Sequence, residues 1–376
     1  MKTLYLHIGM PRTGTTVLQN FCADNQEELN RQGYCYPIMP FQYKNASQLR
    51  TAHFMFGRVT DEDGKRDIAK EKQYFTEGFQ RLYETFQTYD NVILSDEGLW
   101  NCGFRDKIPV WEKIKKEMDE NQFTTKVIVY LRRQDDFLYS WWSQRIKEGL
   151  YKECVLSWKE MTEQLPIVHL DYCEMLQNIS EYIGKENLII RRFDKEYFVG
   201  NSIYKDFIHV IGMQYSDVFV VRQETLNRSL TKNNAEIKRI LNKLPDIDAQ
   251  SNRMFQSILA HNSNNKTDNK RYSMFSKQEA EALFEKHREG NRFIAEEYMG
   301  IEDDLFPYEY RAEEKWTPNN EEMLEDIILF MGTSLLQMEK KMEKELQAQK
   351  KQTEWLKGEL KHPIRYIGKK ILKKLR

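Results

Sequence analysis

Cysteine is scarce and unpaired in this 376-residue chain. Cys22, Cys35, Cys102, Cys154 and Cys173 are odd in number, and no two form a C-x-x-C pair. That pattern fits neither a disulfide framework nor a zinc site and leaves reduced, buried thiols. Net charge is nearly absent too: 57 Lys+Arg against 58 Asp+Glu leaves −1. Bulk electrostatics therefore give no reason to expect a nucleic-acid partner, and any basic site is local. No run of about 18 apolar residues occurs, so no membrane-spanning helix is expected. The opening M-K-T-L-Y-L-H-I-G is interrupted too soon for a signal peptide, which makes a cytoplasmic location the expectation. Asp-rich loops and His/Cys clusters with metal-ligand spacing are missing, so no metal is expected. What is present is 40% hydrophobic and 12% aromatic residues, enough for a substantial core in one large domain or two smaller ones.

Short apolar, β-branched runs alternate with longer helical stretches. Residues 3–8, 91–95, 126–131, 187–193 and 217–221 read as strands, apolar throughout rather than alternating, as in a parallel sheet covered on both faces. Helices are expected at about 16–31, 110–120, 136–149, 171–183 and 202–211. The alternation predicts an α/β fold, doubly wound, with a mostly parallel sheet flanked by helices and ligands at the C-terminal strand ends. From 230 to 300 the chain turns helical and polar, with a low-complexity linker at 262–270. Beyond Pro318 a helix is expected from Glu321 past Leu356. There Leu324, Ile328, Met331, Leu335, Met338 and Met342 form a heptad-like seam, suited to a homodimer or to packing on the core.

Gly9 to Thr16, G-M-P-R-T-G-T-T, follows the first strand and opens the first helix. It matches G-x-x-x-x-G-K-[ST] except that Thr15 takes the lysine position. The glycines let backbone N–H groups face an anion, the helix end adds its dipole, and Thr13, Thr15 and Thr16 add hydroxyls. A nucleoside triphosphatase lacking that lysine loses its contact to the β- and γ-phosphates. Arg12 puts a cation at a different place in the loop, so this phosphate loop suits a donor other than ATP.

P-R-T-G-T-T resembles the 5′-phosphosulfate loop of sulfotransferases that use 3′-phosphoadenosine 5′-phosphosulfate (PAPS). The longer H-I-G-M-P-R-T-G-T-T-V-L-Q is similar to the start of bacterial members. The resemblance implies a P-loop-like fold. It also implies a loop of Pro11, Arg12, Thr13, Gly14, Thr15 and Thr16 around the 5′-phosphate and sulfonate, with Arg12 assisting departure of the phosphate. Adenosine 3′,5′-bisphosphate (PAP) is then the product, with no metal.

Such a donor needs a second anion station. K-V-I-V-Y-L-R-R-Q-D-D-F-L-Y-S-W-W ends a strand at Arg132-Arg133 and enters a helix, with Ser140 eight residues after Arg132. The family's 3′-phosphate motif has that spacing, which assigns Arg132 as a fork and Ser140 as a hydroxyl donor. Gln134 stands where the family usually has proline. Surface ion pairs with nearby acids are the competing fate of Arg132 and Arg133, and Trp141 and Trp142 read as helix packing.

Transfer to a hydroxyl needs a base. V-I-L-S-D-E-G-L-W ends a strand in two acids, and related carbohydrate and tyrosine enzymes use a glutamate, so the role falls to Glu97. Asp96 is the alternative and His7 the third candidate; capping or pairing with Arg12 are the structural uses of the acids. Arg192, Arg222 and Arg228 would help hold an anionic acceptor unless ion-paired.

The resemblance covers about residues 1–310, leaving 311–376 as a helical extension. Its end, 361–376, has no acid and seven Lys/Arg, with Ile364, Ile367, Ile371 and Leu375 on one face, which suits an anionic membrane surface as well as a docked tail. The expected function is sulfonate transfer to a bacterial saccharide or glycolipid, at the inner membrane face. The competing readings are a P-loop kinase of a small molecule and a non-catalytic anion-binding or membrane-associated protein.

Overall fold

The computed structural model describes residues 2–102, 109–150, 152–163, 169–222, 230–245, 247–264 and 271–360. The chain divides into two compact units, each assembled from separate segments: 1–142, 158–226 and 273–315 form the first, and 143–157, 227–272 and 316–376 the second.

In the first unit, β1 (Thr3–His7), β2 (Tyr34–Cys35), β3 (Asn91–Ser95), β4 (Thr124–Leu131) and β5 (Leu188–Arg192) form one sheet in the order β2-β3-β1-β4-β5, with every pairing parallel. Among the described residues the α-helices are α1 (Thr15–Asp24), α2 (Gln26–Arg31), α3 (Ile68–Thr88), α4 (Val110–Asn121), α5 (Gln134–Glu148), α6 (Trp158–Glu163), α7 (Tyr172–Ile183), α8 (Ile203–Val210), α9 (Lys232–Leu241), α10 (Ala249–Asn264), α11 (Lys277–Ile294) and α12 (Met323–Leu360). The expected α/β architecture is present, parallel sheet, flanking helices and C-terminal helix included.

The strands are apolar on both faces because both faces are covered. Tyr5, Ile93, Ile128 and Tyr130 point to one side and pack with Leu18 and Phe21 of α1 and Phe207 and Ile208 of α8. Leu4, Leu6, Val92, Leu94, Val127 and Val129 alternate to the other side and are fully buried, with α3 against β3 and α7 against β4 on the flanks. At the carboxyl ends His7 lies opposite Ser95 on β3 and Ile128 on β4, so the loops after β1, β3 and β4 emerge side by side.

One expected strand is absent. Residues 217–221 form a turn in which Phe219 is buried while Val218, Val220 and Val221 are exposed. The Asn25 amide replaces a neighbouring strand: Nδ2 donates to the Val220 carbonyl at 2.9 Å, and the Val220 N–H donates to Oδ1 at 2.7 Å. The sequence reading left out the two-residue β2, the six-residue α6 and the 21-residue α3, which Asp67 caps. Most of the 262–270 linker and all of 361–376 lie outside the described residues.

In the second unit α12 packs beside α9 and α10. Buried Asp326 accepts from Asn233 Nδ2 at 2.9 Å, the Trp316 indole donates to Asn233 Oδ1 at 2.7 Å, and the Phe330 ring lies 5.7 Å from Phe255. No helix among the described residues is long and apolar enough to cross a membrane.

Candidate active site

The loop after β1 stays tied to β4: the N–H of Ile8 donates to Ile128 O at 3.0 Å and that of Met10 to Tyr130 O at 3.1 Å. It closes on itself where the buried Thr13 hydroxyl donates to Met10 O at 2.6 Å. Gly9, Arg12 and Gly14 all have positive φ, at 101°, 70° and 74°. For Arg12, which carries a Cβ, that conformation costs about 1–2 kcal/mol, and the surrounding loop holds it there. Gly9 is required for a second reason: a Cβ there would lie 3.1 Å from Glu97 Cβ and 3.0 Å from Pro11 N. The loop thus folds directly onto the turn after β3.

Gly14 caps α1 with no side chain of its own, and the first turn carries no acid. The leading N–H groups therefore face outward with the positive end of the helix. The Thr13 and Thr15 side chains are buried and Thr16 is exposed.

Two of the predicted phosphate ligands meet the loop. Arg12 Nε donates to Oγ of the buried Ser140 on α5 at 3.1 Å, and Arg132 Nη1 donates to Arg12 O at 3.1 Å. Arg132 is further placed by the Tyr172 hydroxyl, which donates to its carbonyl at 2.9 Å, and by the Phe193 ring 5.8 Å from its guanidinium. It is half-buried, and no ion pair to a described carboxylate is formed. The neighbouring arginines differ. Arg133 forks onto Asp135 at 2.7 and 2.8 Å, Arg191 onto Asp206, and Arg222 onto Asp24. Arg192 donates to Asp304 O and stacks on Tyr197, and Arg228 lies outside the described residues. Gln134 exchanges amide hydrogen bonds with Asn291 of α11 at 2.8 and 3.3 Å, tying down the start of α5. Trp141 and Trp142 are buried, and Trp142 meets Trp158 edge-on at 5.7 Å.

The two acids after β3 separate clearly. Asp96 is fully buried and saturated: Arg50 donates from Nε at 3.0 Å and Nη2 at 2.5 Å, Gly98 N at 2.7 Å, and His53 Nδ1 lies at 2.8 Å. Burial acts to raise its pKa, but the hydrogen bond from His53 and the charge of Arg50 outweigh it and hold Asp96 below the usual carboxylate range. Glu97 is half-buried and accepts from Gln19 Nε2 at 3.4 Å. Gln19, four residues after Thr15 on α1, also donates to Ser95 Oγ at 3.2 Å, and that hydroxyl shares a 2.9 Å hydrogen bond with His7 Nδ1. Sequence reasoning missed Gln19, Arg50, His53, Tyr172 and Phe193. Only Gln19 left a signal, its i, i+4 spacing from the loop threonine.

His7 has no exposed surface, and Tyr130 and Phe207 meet its ring edge-on. Burial lowers its pKa from 6.5 to about 4, against a smaller opposing pull from Asp96. As pH falls from 6.5 toward 4 the unfolded chain takes up a proton that native His7 refuses, so stability falls by about 3 kcal/mol across that window. Denaturant unfolding at pH 7 and pH 4.5 measures the difference, and His7→Gln is expected to flatten it.

Among the described residues no group of three or more His, Cys, Asp or Glu is placed to hold a metal ion. The loop after β1 thus gathers backbone N–H groups, the side chains of Arg12 and Arg132 and buried hydroxyls, with the Glu97 carboxylate beside Gly9.

No protein-family profile matches the chain. An uncharacterized protein of Archaeoglobus fulgidus is 24% identical over 213 residues, which is 56% of this chain and 54% of that protein, so the match spans little more than half of the relative's length. The crystal structure of a sulfotransferase from Alicyclobacillus acidocaldarius aligns over 67% of this chain and 99% of its own, at 12% identity and a TM-score of 0.38.

Proposed function

We propose that this protein transfers the sulfonate group of PAPS to a hydroxyl of a saccharide or glycolipid and releases PAP. The observation that carries the reading is Arg132. Its half-buried guanidinium has no described carboxylate in ion-pair range and lies against the carbonyl of Arg12, whose own side chain reaches the buried Ser140. Partly burying a guanidinium is costly unless an anion completes its site. A donor with a 3′-phosphate supplies that anion for Arg132 while its 5′ end meets the loop, and the residues present fit it.

In this reading the acceptor oxygen attacks sulfur in line. The new O–S bond forms as the bond from sulfur to the bridging phosphate oxygen breaks, and the acceptor proton passes to Glu97. Arg12 and the N–H groups at the start of α1 meet the charge that grows on the departing phosphate. Of the three candidate bases, Asp96 has both oxygens engaged and His7 is sealed in the core, whereas Glu97 sits at the rim against Gly9. Gln19 holds the Glu97 carboxylate in place. The basic stretch 361–376 would bring the enzyme to an anionic membrane surface where glycolipid acceptors reside.

Calorimetric titration with PAP, AMP and ATP, with and without magnesium, tests the donor. Tight, magnesium-independent binding of PAP that collapses for AMP is expected. A preference for ATP with magnesium would replace the reading with a kinase.

A further inference from the structure

Two faces of α12 have different fates. Met323, Asp326, Phe330, Thr333 and Ser334 are buried or half-buried on one side, where Asp326 bonds Asn233 and Phe330 meets Phe255. Leu324, Ile328, Met331, Leu335, Met338 and Met342 follow one another at spacings of four and three on the opposite side, each 50–67% exposed. A stripe of this length left in water is unfavourable, and an exposed helix of this kind is marginal without a partner.

We propose that this face is the seam of a parallel, in-register two-stranded coiled coil formed with α12 of a second copy of the chain. Alternating four-three spacing averages 3.5 residues, the repeat that keeps a seam facing a supercoiled partner. Ile328, Leu335 and Met342 then occupy a positions, and Leu324, Met331 and Met338 occupy d. Covering these six together with Ile327 and Leu346 removes on the order of 800 Å² per copy, the size of a standard interface.

Charge decides both occupant and orientation. From Ile327 to Met338 no residue is charged, so this stretch lacks the flanking lysines that dock a helix on anionic lipid. Glu339 to Glu345 then carries three glutamates and three lysines, which lets like copies meet without net repulsion. In parallel register Lys341 faces Leu346 of the partner subunit and Ser334 faces Glu339 of the partner subunit. The antiparallel alternative sets Glu325 beside Glu339 of the partner subunit at both ends, a like-charge pair at flanking positions that select orientation.

Sedimentation velocity of the full chain tests the pairing. Wild type is expected at twice the 45.2 kDa chain mass, and the double variant Met331→Glu with Leu335→Glu at the single mass. Leu336→Glu, exposed but off the seam, is expected to keep the doubled mass. Leu335→Cys gives a fold-neutral readout, a disulfide between copies on mild oxidation. Single-mass wild type overturns the proposal, as does Leu336→Glu dissociating as completely as the seam variant. A doubled mass with no Leu335→Cys bridge overturns the parallel register. Single-mass protein that sediments with phosphatidylglycerol vesicles through the same two residues assigns the face to the bilayer instead, and so overturns the second copy as its occupant.

Discussion

Alanine at position 132 is expected to weaken PAP binding by about 30- to 1,000-fold, the ~2–4 kcal/mol lost when one member of a buried, hydrogen-bonded charge pair is truncated. Little of the fold goes with it, because among the described residues the Arg132 side chain donates one hydrogen bond, to Arg12 O. Lysine should recover only part of the affinity, since a point charge cannot fork onto a phosphate. Arg133→Ala is the control. Its guanidinium is already committed to Asp135, so affinity should stay within a few-fold. Calorimetry of the three variants side by side checks this, and equal losses at 132 and 133 would remove Arg132 from the donor site.

Glu97→Gln is expected to leave PAP affinity within about twofold and to lower turnover by about 10²–10⁴, the usual contribution of a positioned base. The amide keeps the shape of the side chain and its contact with Gln19, so only proton acceptance is lost. PAP release from PAPS in the presence of a saccharide panel gives the rate, and calorimetry gives the affinity. Loss of binding equal to the loss of turnover would make Glu97 part of the donor cradle rather than the base. Asp96→Asn belongs to a different class: it strips charge from the buried partner of Arg50 and His53, so its cost should fall on folding.

The turn between β1 and α1 was readable from sequence because its signal lies in consecutive residues: glycines at fixed spacing between a strand and a helix. Arg132 and Ser140 lie eight residues apart along one strand–helix unit, and that spacing brings each of them to Arg12. What separates Asp96 from Glu97 is not local. It depends on Arg50 and His53, more than forty residues upstream, folding back onto one carboxylate and leaving the other at the rim. Adjacent Arg132 and Arg133 pose the same problem, and their different fates follow from side-chain direction at a strand end. The run at 217–221 misled because V-F-V-V has strand composition, while its backbone partner turned out to be an asparagine side chain. For α3 the signal was present and unread: Asp67 as cap, then Phe75, Phe79, Leu82 and Phe86 on one face.

The proportions of the sheet also bear on how the chain behaves before and after folding. Its outermost strand on one side, β2, is two residues long and offers almost no ladder of open N–H and C=O groups. The strand on the other side, β5, ends in Arg191 and Arg192. Short or charged margins deny an incoming strand a template, so the sheet resists sheet-to-sheet stacking and amyloid-like growth. Self-association is thereby channelled away from the sheet, so a protein concentration high enough to populate the proposed helix-mediated pairs need not bring precipitation with it.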